Sequence, residues 1–375
     1  MKKLLFIIML LASGLTYAQK PAPKTFDLVI GTYTKGTSKG IYVYRFYTET
    51  GRLAYLSQVA TSNPSYLCVC SNNKFVYAVN EDGKDGGVSS FGFDAKTGIL
   101  QPINSQPSQG ADPCYISVDK AQKNVFVANY SSGNLSVLPI NTDGSLGVVK
   151  QNIKDEGKGP NEARQEGPHV HTAVLSPDEK YVFYSDLGTD KLNATRYKAS
   201  DAQPLTPLPE NLTTVMAGNG PRHIDFSPDH KYVYLITEMG GNIYSFEYHG
   251  GKLKQTQSIT MLPDGFTGEV GAADIHVSPD GRFLYASNRG TANDIVTFAI
   301  NKDNGQLTYV DRVSSLGKGP RNFVIDPTGS FLLVANQNSD SVVLYKIDKT
   351  TGKLTTTGAR LSIGNPVCLK FTPAQ

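Results

Sequence analysis

Cysteine is scarce: four residues in 375, Cys68, Cys70, Cys114 and Cys368. So few thiols exclude a disulfide-built scaffold, and their spacing matches no zinc site. Charge of one sign is lacking as well. Lys and Arg number 36 against 33 Asp and Glu, a net +3, with no basic patch to hold nucleic acid. Beyond residue 11 there is no long apolar run, which excludes a membrane-spanning helix. Neither a Gly-x-Ser-x-Gly elbow nor a phosphate-binding Gly-rich loop occurs, which argues against a serine nucleophile and against nucleotide chemistry.

The start of the chain reads as an address. Lys2 and Lys3 precede the apolar run Leu4 to Leu11, and Thr16-Tyr17-Ala18 is a small-residue cleavage site. Residues 1–18 are therefore expected to be a signal peptide, with the mature chain starting near Gln19, exported to the periplasm or secreted. With no cysteine at the cleavage point, no lipid anchor is expected. Residues 19–25 read as a tether and 26–375 as one domain.

That domain is a repeat with a period of about 50 residues,. Its openings are Asn63-Pro64-Ser65, Asp112-Pro113-Cys114, Pro168-His169-Val170-His171, Gly220-Pro221-Arg222, Gly271-Ala272-Ala273, Gly319-Pro320-Arg321 and Asn365-Pro366-Val367. Each leads into an apolar strand, a turn such as Ser227-Pro228-Asp229, and a nearly continuous apolar second strand such as Phe331 to Asn336. Third strands follow, then Thr-Gly-x-Leu or Asp-Gly-x-Leu turns into outer fourth strands. Seven such units predict an all-β, seven-bladed propeller of four-stranded blades. The C-terminus supplies only a first strand and the N-terminus only later ones, so the two ends should join in one blade and close the ring. The four cysteines fall at or near first strands. Buried, small apolar side chains are the preferred reading over a Cys68–Cys368 bridge.

The position six residues before each turn defines a slot at the channel mouth: Ser65, Cys114, His171, Arg222, Ala273, Arg321 and Val367. Second strands return to the same mouth and end at Glu81, Tyr130, Leu187, Glu238, Arg289 and Gln337, with Asp186 and Asn288 one place earlier. Several arginines facing one cavity repel each other unless carboxylates or an anion sit between them. A histidine and a glutamate beside them can move protons near neutral pH. The competing reading is a solvated pore whose charges pair with each other. His169 and His171 share a strand face but lack a matching carboxylate, so no metal and no cofactor is expected; a bulge presenting His171 is. His223 and His276 read as strand packing or hydrogen-bonded turns. Residues 155–167, charged and Gly-rich, read equally as a lid over the mouth or a plain solvated loop.

Gly167-Pro168-His169-Val170-His171, Gly220-Pro221-Arg222-His223-Ile224, Ser287-Asn288-Arg289-Gly290 and Gly31-Thr32-Tyr33-Thr34 resemble the lactonase family of seven-bladed propellers. That family includes the propeller type of 6-phosphogluconolactonase and the carboxy-cis,cis-muconate cyclases. The resemblance implies chemistry at a lactone ring, hydrolysis in one branch and closure in the other. It implies catalytic roles for His171, Arg222, Glu238 and Arg289. Glu238 or His171 would be the base, and Arg222 and Arg289 would stabilise an oxyanion. Arg321, His169, Asp186, Glu81 and Gln337 are expected to bind substrate, a small anionic sugar lactone. The chain departs from the family's cytoplasmic pathway in its export signal, which points to another extracytoplasmic lactone or to a family name without the pathway. Three readings stand at this stage: a metal-independent lactonase, a metal-dependent gluconolactonase-like enzyme, and an exported propeller binding a glycan or protein.

Overall fold

The computed structural model describes residues 24–374. The expected signal peptide and residues 19–23 of the tether lie outside them. The β-branched and aromatic runs form seven antiparallel sheets. Six have four strands. The sheet that opens with Val170–Leu175 adds a short fifth, Thr213–Thr214, so that both it and Leu205–Pro207 pair with Lys191–Tyr197.

Burial follows a strand's place in its blade. The second strands Asn124–Asn129 and Phe331–Asn336 are buried at every residue, as strands covered on both faces must be. The outermost Leu354–Ser362 is buried only at Leu354. Neighbouring blades are tied by tyrosine. The hydroxyls of Tyr77, Tyr234 and Tyr285 donate to the carbonyls of Gly144, Gly305 and Gly352 at 2.9 Å each. These glycines lie in the turns before the outer strands, with φ of +84°, +69° and +74°. A Cβ there would stand 2.2 Å from Phe75, 2.3 Å from Tyr232 or 2.4 Å from Phe283. Both the left-handed backbone and the aromatic contact therefore demand glycine.

The ends meet as expected. Pro366–Pro373 pairs antiparallel with Thr25–Thr32, which continues through Gly40–Tyr47 to Arg52–Ala60. No open sheet edge is left at the join.

Six of the seven slot residues sit at β-bulges, and three of them, Cys114, His171 and Arg321, line the mouth. In six blades the register between first and second strands, or across the ring closure, skips the slot. The skipped residues include Cys114, His171, Arg222, Ala273, Arg321 and Val367. A bulged residue is freed from the ladder and re-aimed, which carries these side chains out of the sheets. The bulge expected for His171 alone is thus a property of the ring. The extra two residues between Pro168 and Pro177 lie before the strand, which begins at Val170.

Candidate active site

Bulges and second-strand ends converge on a cavity of about 420 Å³ walled by Tyr33, Glu81, Cys114, Tyr130, Arg164, His171, Glu238, Arg289 and Arg321. A second, outer cavity of about 490 Å³ shares Arg164, Glu238, Arg289 and Arg321 with it and adds Lys318, Asn293 and Gln337.

Glu238 is the hub. Its Oε1 accepts from Arg164 Nη2 at 2.7 Å. Its Oε2 accepts from Arg222 Nε and faces Arg289 Nη2, both at 2.9 Å. Burial alone would raise its carboxyl, but Arg289 and Arg222, with His171 and Arg164, hold it well below the usual range. The carboxylate is ionised at neutral pH, and both oxygens are committed to guanidiniums.

Arg222 is 1% exposed and stands behind Glu238, outside the cavity wall. Its Nη1 donates to the Ala273 carbonyl and to His223 Nε2 at 3.2 Å. Burial, with the repulsion of Arg289 and Arg321, lowers its pKa to about 10. Arg321 differs: its guanidinium lies 5.6 Å above the Tyr33 ring and is attracted by Tyr33, Glu81 and Glu238, with no close ion pair among the described residues. Tyr33 in turn donates its hydroxyl to Glu81 at 2.8 Å. In the inner cavity wall three arginines, Arg164, Arg289 and Arg321, outnumber two carboxylates, Glu81 and Glu238, so the wall is left with positive charge,.

His171 is buried. Burial, then the nearby Arg222 and His223, push its pKa well below the ordinary histidine value, so the ring is neutral. Nδ1 lies 3.8 Å from Cys114 Sγ, a thiol that burial keeps protonated. Among the described residues Nε2 has no hydrogen-bond partner.

Two expected substrate contacts fall elsewhere. Asp186 is fully buried. It accepts from the backbone N–H groups of His169 (2.7 Å) and Gly188 (3.0 Å) and from Thr189 Oγ1 (2.6 Å). It caps the 3-10 turn Leu187–Thr189, because the chain bends there and turns this side chain inward. His169 lies before its strand and stacks on Tyr130 at 4.5 Å. Its Nδ1 meets the Tyr130 carbonyl at 3.0 Å and its Nε2 faces Glu166 at 3.3 Å. It therefore backs the wall without lining it. Glu81 lines the inner cavity and Gln337 the outer one.

Four inner-wall residues were absent from the expected catalytic and substrate-binding set, Cys114 among them although it stood in the list of slots. Tyr130 stood among the second-strand ends and Tyr33 in the Gly31-Thr32-Tyr33-Thr34 motif, so both carried a signal. Arg164 did not, since only folding brings residues 155–167 across the mouth. Among the described residues, no three His, Cys, Asp or Glu side chains group as a metal site, all four cysteines are free, and no helix is long and apolar enough to cross a membrane.

Seven blades and a cationic mouth define a propeller class, and comparison with known sequences places the chain within it. Residues 27–371 match the model of the lactonase, 7-bladed beta-propeller family; the chain belongs to that family. It is 40% identical to a 6-phosphogluconolactonase of Bacillus subtilis, over 91% of this chain and 97% of that one. Identity is 36% to a 6-phosphogluconolactonase of Formosa agariphila, over 87% and 94%. Among solved structures, a periplasmic gluconolactonase of Pseudomonas aeruginosa superposes with a TM-score of 0.90 at 39% identity, covering 94% of this chain and all of that one.

Proposed function

We propose that the protein hydrolyses an anionic sugar lactone at this mouth without a metal ion. The observation that carries the reading is Arg321, a guanidinium that feels Glu81 and Glu238 across the cavity but makes no close ion pair among the described residues, in the same wall as a neutral His171. The similarity to 6-phosphogluconolactonases and to a gluconolactonase supports the same reading.

The roles follow from the geometry. Glu238 is spent on three guanidiniums, so His171 is the base. Its neutral imidazole takes a proton from water as the water oxygen bonds to the lactone carbonyl carbon. Arg289 and Arg164 face the oxyanion that forms and stabilise it. On collapse the ring C–O bond breaks, and the departing alkoxide takes the proton back from the imidazolium. The product is a hydroxy acid, which ionises at neutral pH. Arg321, with Lys318 in the outer cavity, holds the substrate's phosphate or carboxylate. Arg222 acts from behind by fixing Glu238.

Export belongs to the proposal. A signal peptide over residues 1–18 would place this chemistry outside the cytoplasm, in line with the periplasmic relative. Mass spectrometry of the mature protein would then find Gln19 or a close neighbour at the N-terminus, and an intact Met1 would refute export.

The deciding assay follows hydrolysis of 6-phosphogluconolactone and glucono-1,5-lactone with chelator present and spontaneous opening subtracted. Turnover that His171→Gln abolishes in a folded protein is expected. Activity that returns only with a divalent ion favours the metal-dependent reading. No turnover of either lactone leaves a binding propeller.

A further inference from the structure

Behind Arg222 lies a buried group of titratable side chains, Asp274, His223 and His276, that the mechanism above does not use. Asp274 is 1% exposed and accepts from four directions. His223 Nδ1 lies 2.8 Å from its Oδ1. On the Oδ2 side stand His276 Nε2 at 3.1 Å, the Phe323 backbone N–H at 3.3 Å, and Asn322 Nδ2. The opposite nitrogen of His223, Nε2, faces Arg222 Nη1, and Arg222 Nε holds Glu238.

An arginine can only donate, so His223 Nε2 must accept. Only the neutral, Nδ1–H tautomer allows that. The Nε2–H tautomer and the imidazolium would each aim a second donor at Arg222 across 3.2 Å. We infer that Asp274 is a positioning residue: it holds His223 in the Nδ1–H tautomer and, through it, pins the Arg222 guanidinium that orients Glu238 at the mouth.

The surroundings fit this role. Burial and Arg222 push the His223 pKa down to about 3, so the ring stays neutral. Burial would lower the pKa of His276, but Asp274 and Asp225 raise it, and His276 and His223 in turn hold the Asp274 carboxyl well below the usual range. Tyr66 and Tyr115 pack edge-on to the His223 ring at 5.7 and 5.3 Å and enclose it. The inference rests on the proposed hydrolysis only for its kinetic readout.

Asp274→Asn tests it. The new amide places its oxygen toward the three donors on the far side, which leaves its NH2 facing His223 Nδ1. His223 must then accept there and carry its proton on Nε2, against Arg222. Nitrogen NMR of 15N-histidine-labelled, ligand-free protein reads the tautomer, with His223→Phe assigning the signal among six histidines. The expected result is an Nδ1–H signal in the wild type that becomes Nε2–H in Asp274→Asn. kcat for lactone hydrolysis then falls by on the order of 10²-fold while KM changes little. A retained Nδ1–H tautomer, or an unchanged kcat, overturns the inference. If Asp274→Asn does not fold, His223→Phe removes the acceptor for Arg222 and should show the same kcat loss; full kcat in that variant overturns the inference equally. Absence of turnover by the wild type would sink the proposed hydrolysis, whereas the tautomer is read without substrate and judges Asp274 by itself.

Discussion

Replacing Glu238 by glutamine keeps shape and volume and removes one negative charge. Three guanidinium contacts at 2.7 to 2.9 Å lose their counter-ion, and Arg222, at 1% exposure, has no water to turn to. Breaking a buried ion pair from one side costs about 3–5 kcal/mol. The glutamine oxygen still accepts one hydrogen bond, so about 3 kcal/mol is the expected loss. At about 2.1 cal/mol/K per residue over roughly 350 residues, the unfolding entropy is about 0.7 kcal/mol/K, and Tm should fall by about 4 °C. The pH dependence has a definite sign. The Glu238 carboxyl titrates below its ordinary 4.5 in the folded state. Its contribution is therefore fully present above about pH 4.5 and is lost as pH falls through the lower folded value. Scanning calorimetry should show the gap between wild type and Glu238→Gln at neutral pH, closing only in strong acid. Sulfate should restore more Tm to the variant than to the wild type, because the freed guanidiniums accept an anion. An unchanged Tm at pH 7 with the same response to sulfate would refute the hub.

Arg321→Ala should raise KM for a phosphorylated or carboxylated lactone by about 10- to 100-fold, the loss of one charge-assisted contact of 1.5–3 kcal/mol, and leave Tm unaltered; steady-state kinetics and a melt decide it. Deleting residues 366–375 strips seven register pairs from Thr25–Thr32 and the buried Val367 and Leu369. Two such side chains alone are worth about 3–6 kcal/mol, against roughly 5–15 for a whole fold, so circular dichroism should show the truncated chain unfolded. The thiols should resist Ellman's reagent in the native protein, since burial raises Cys68 and Cys368 to about 11 and Cys70 to about 12. All four should react once guanidinium unfolds it, and rapid native labelling of Cys70, Cys114 or Cys368 would contradict their burial, Cys68 being half-buried.

The ring was legible in the chain because a blade is a local object. Its turns, its apolar second strand and its glycines recur at one spacing, so seven copies and two complementary ends imply closure without any coordinate. The slot residues were legible for the same reason: they hold a constant place relative to Ser-Pro-Asp turns such as 227–229. That place turned out to be a bulge, which explains why His171 and Arg321 leave the ladder. Distances across the mouth were not legible. Asp186 and Glu238 hold similar places at second-strand ends, yet one caps its own turn and the other gathers three arginines. Arg222 shares the slot of Arg321 but is drawn behind Glu238 by Ala273 and His223. Arg164 comes from a segment outside the repeat, and its place over the mouth follows from how that loop packs. Period and polarity are carried by neighbours along the chain, whereas the charge pairing at the mouth gathers side chains from different parts of the ring: Arg222 reaches Glu238 within one blade, but Arg164 and Arg289 come from elsewhere in the chain and meet it only when the ring has formed.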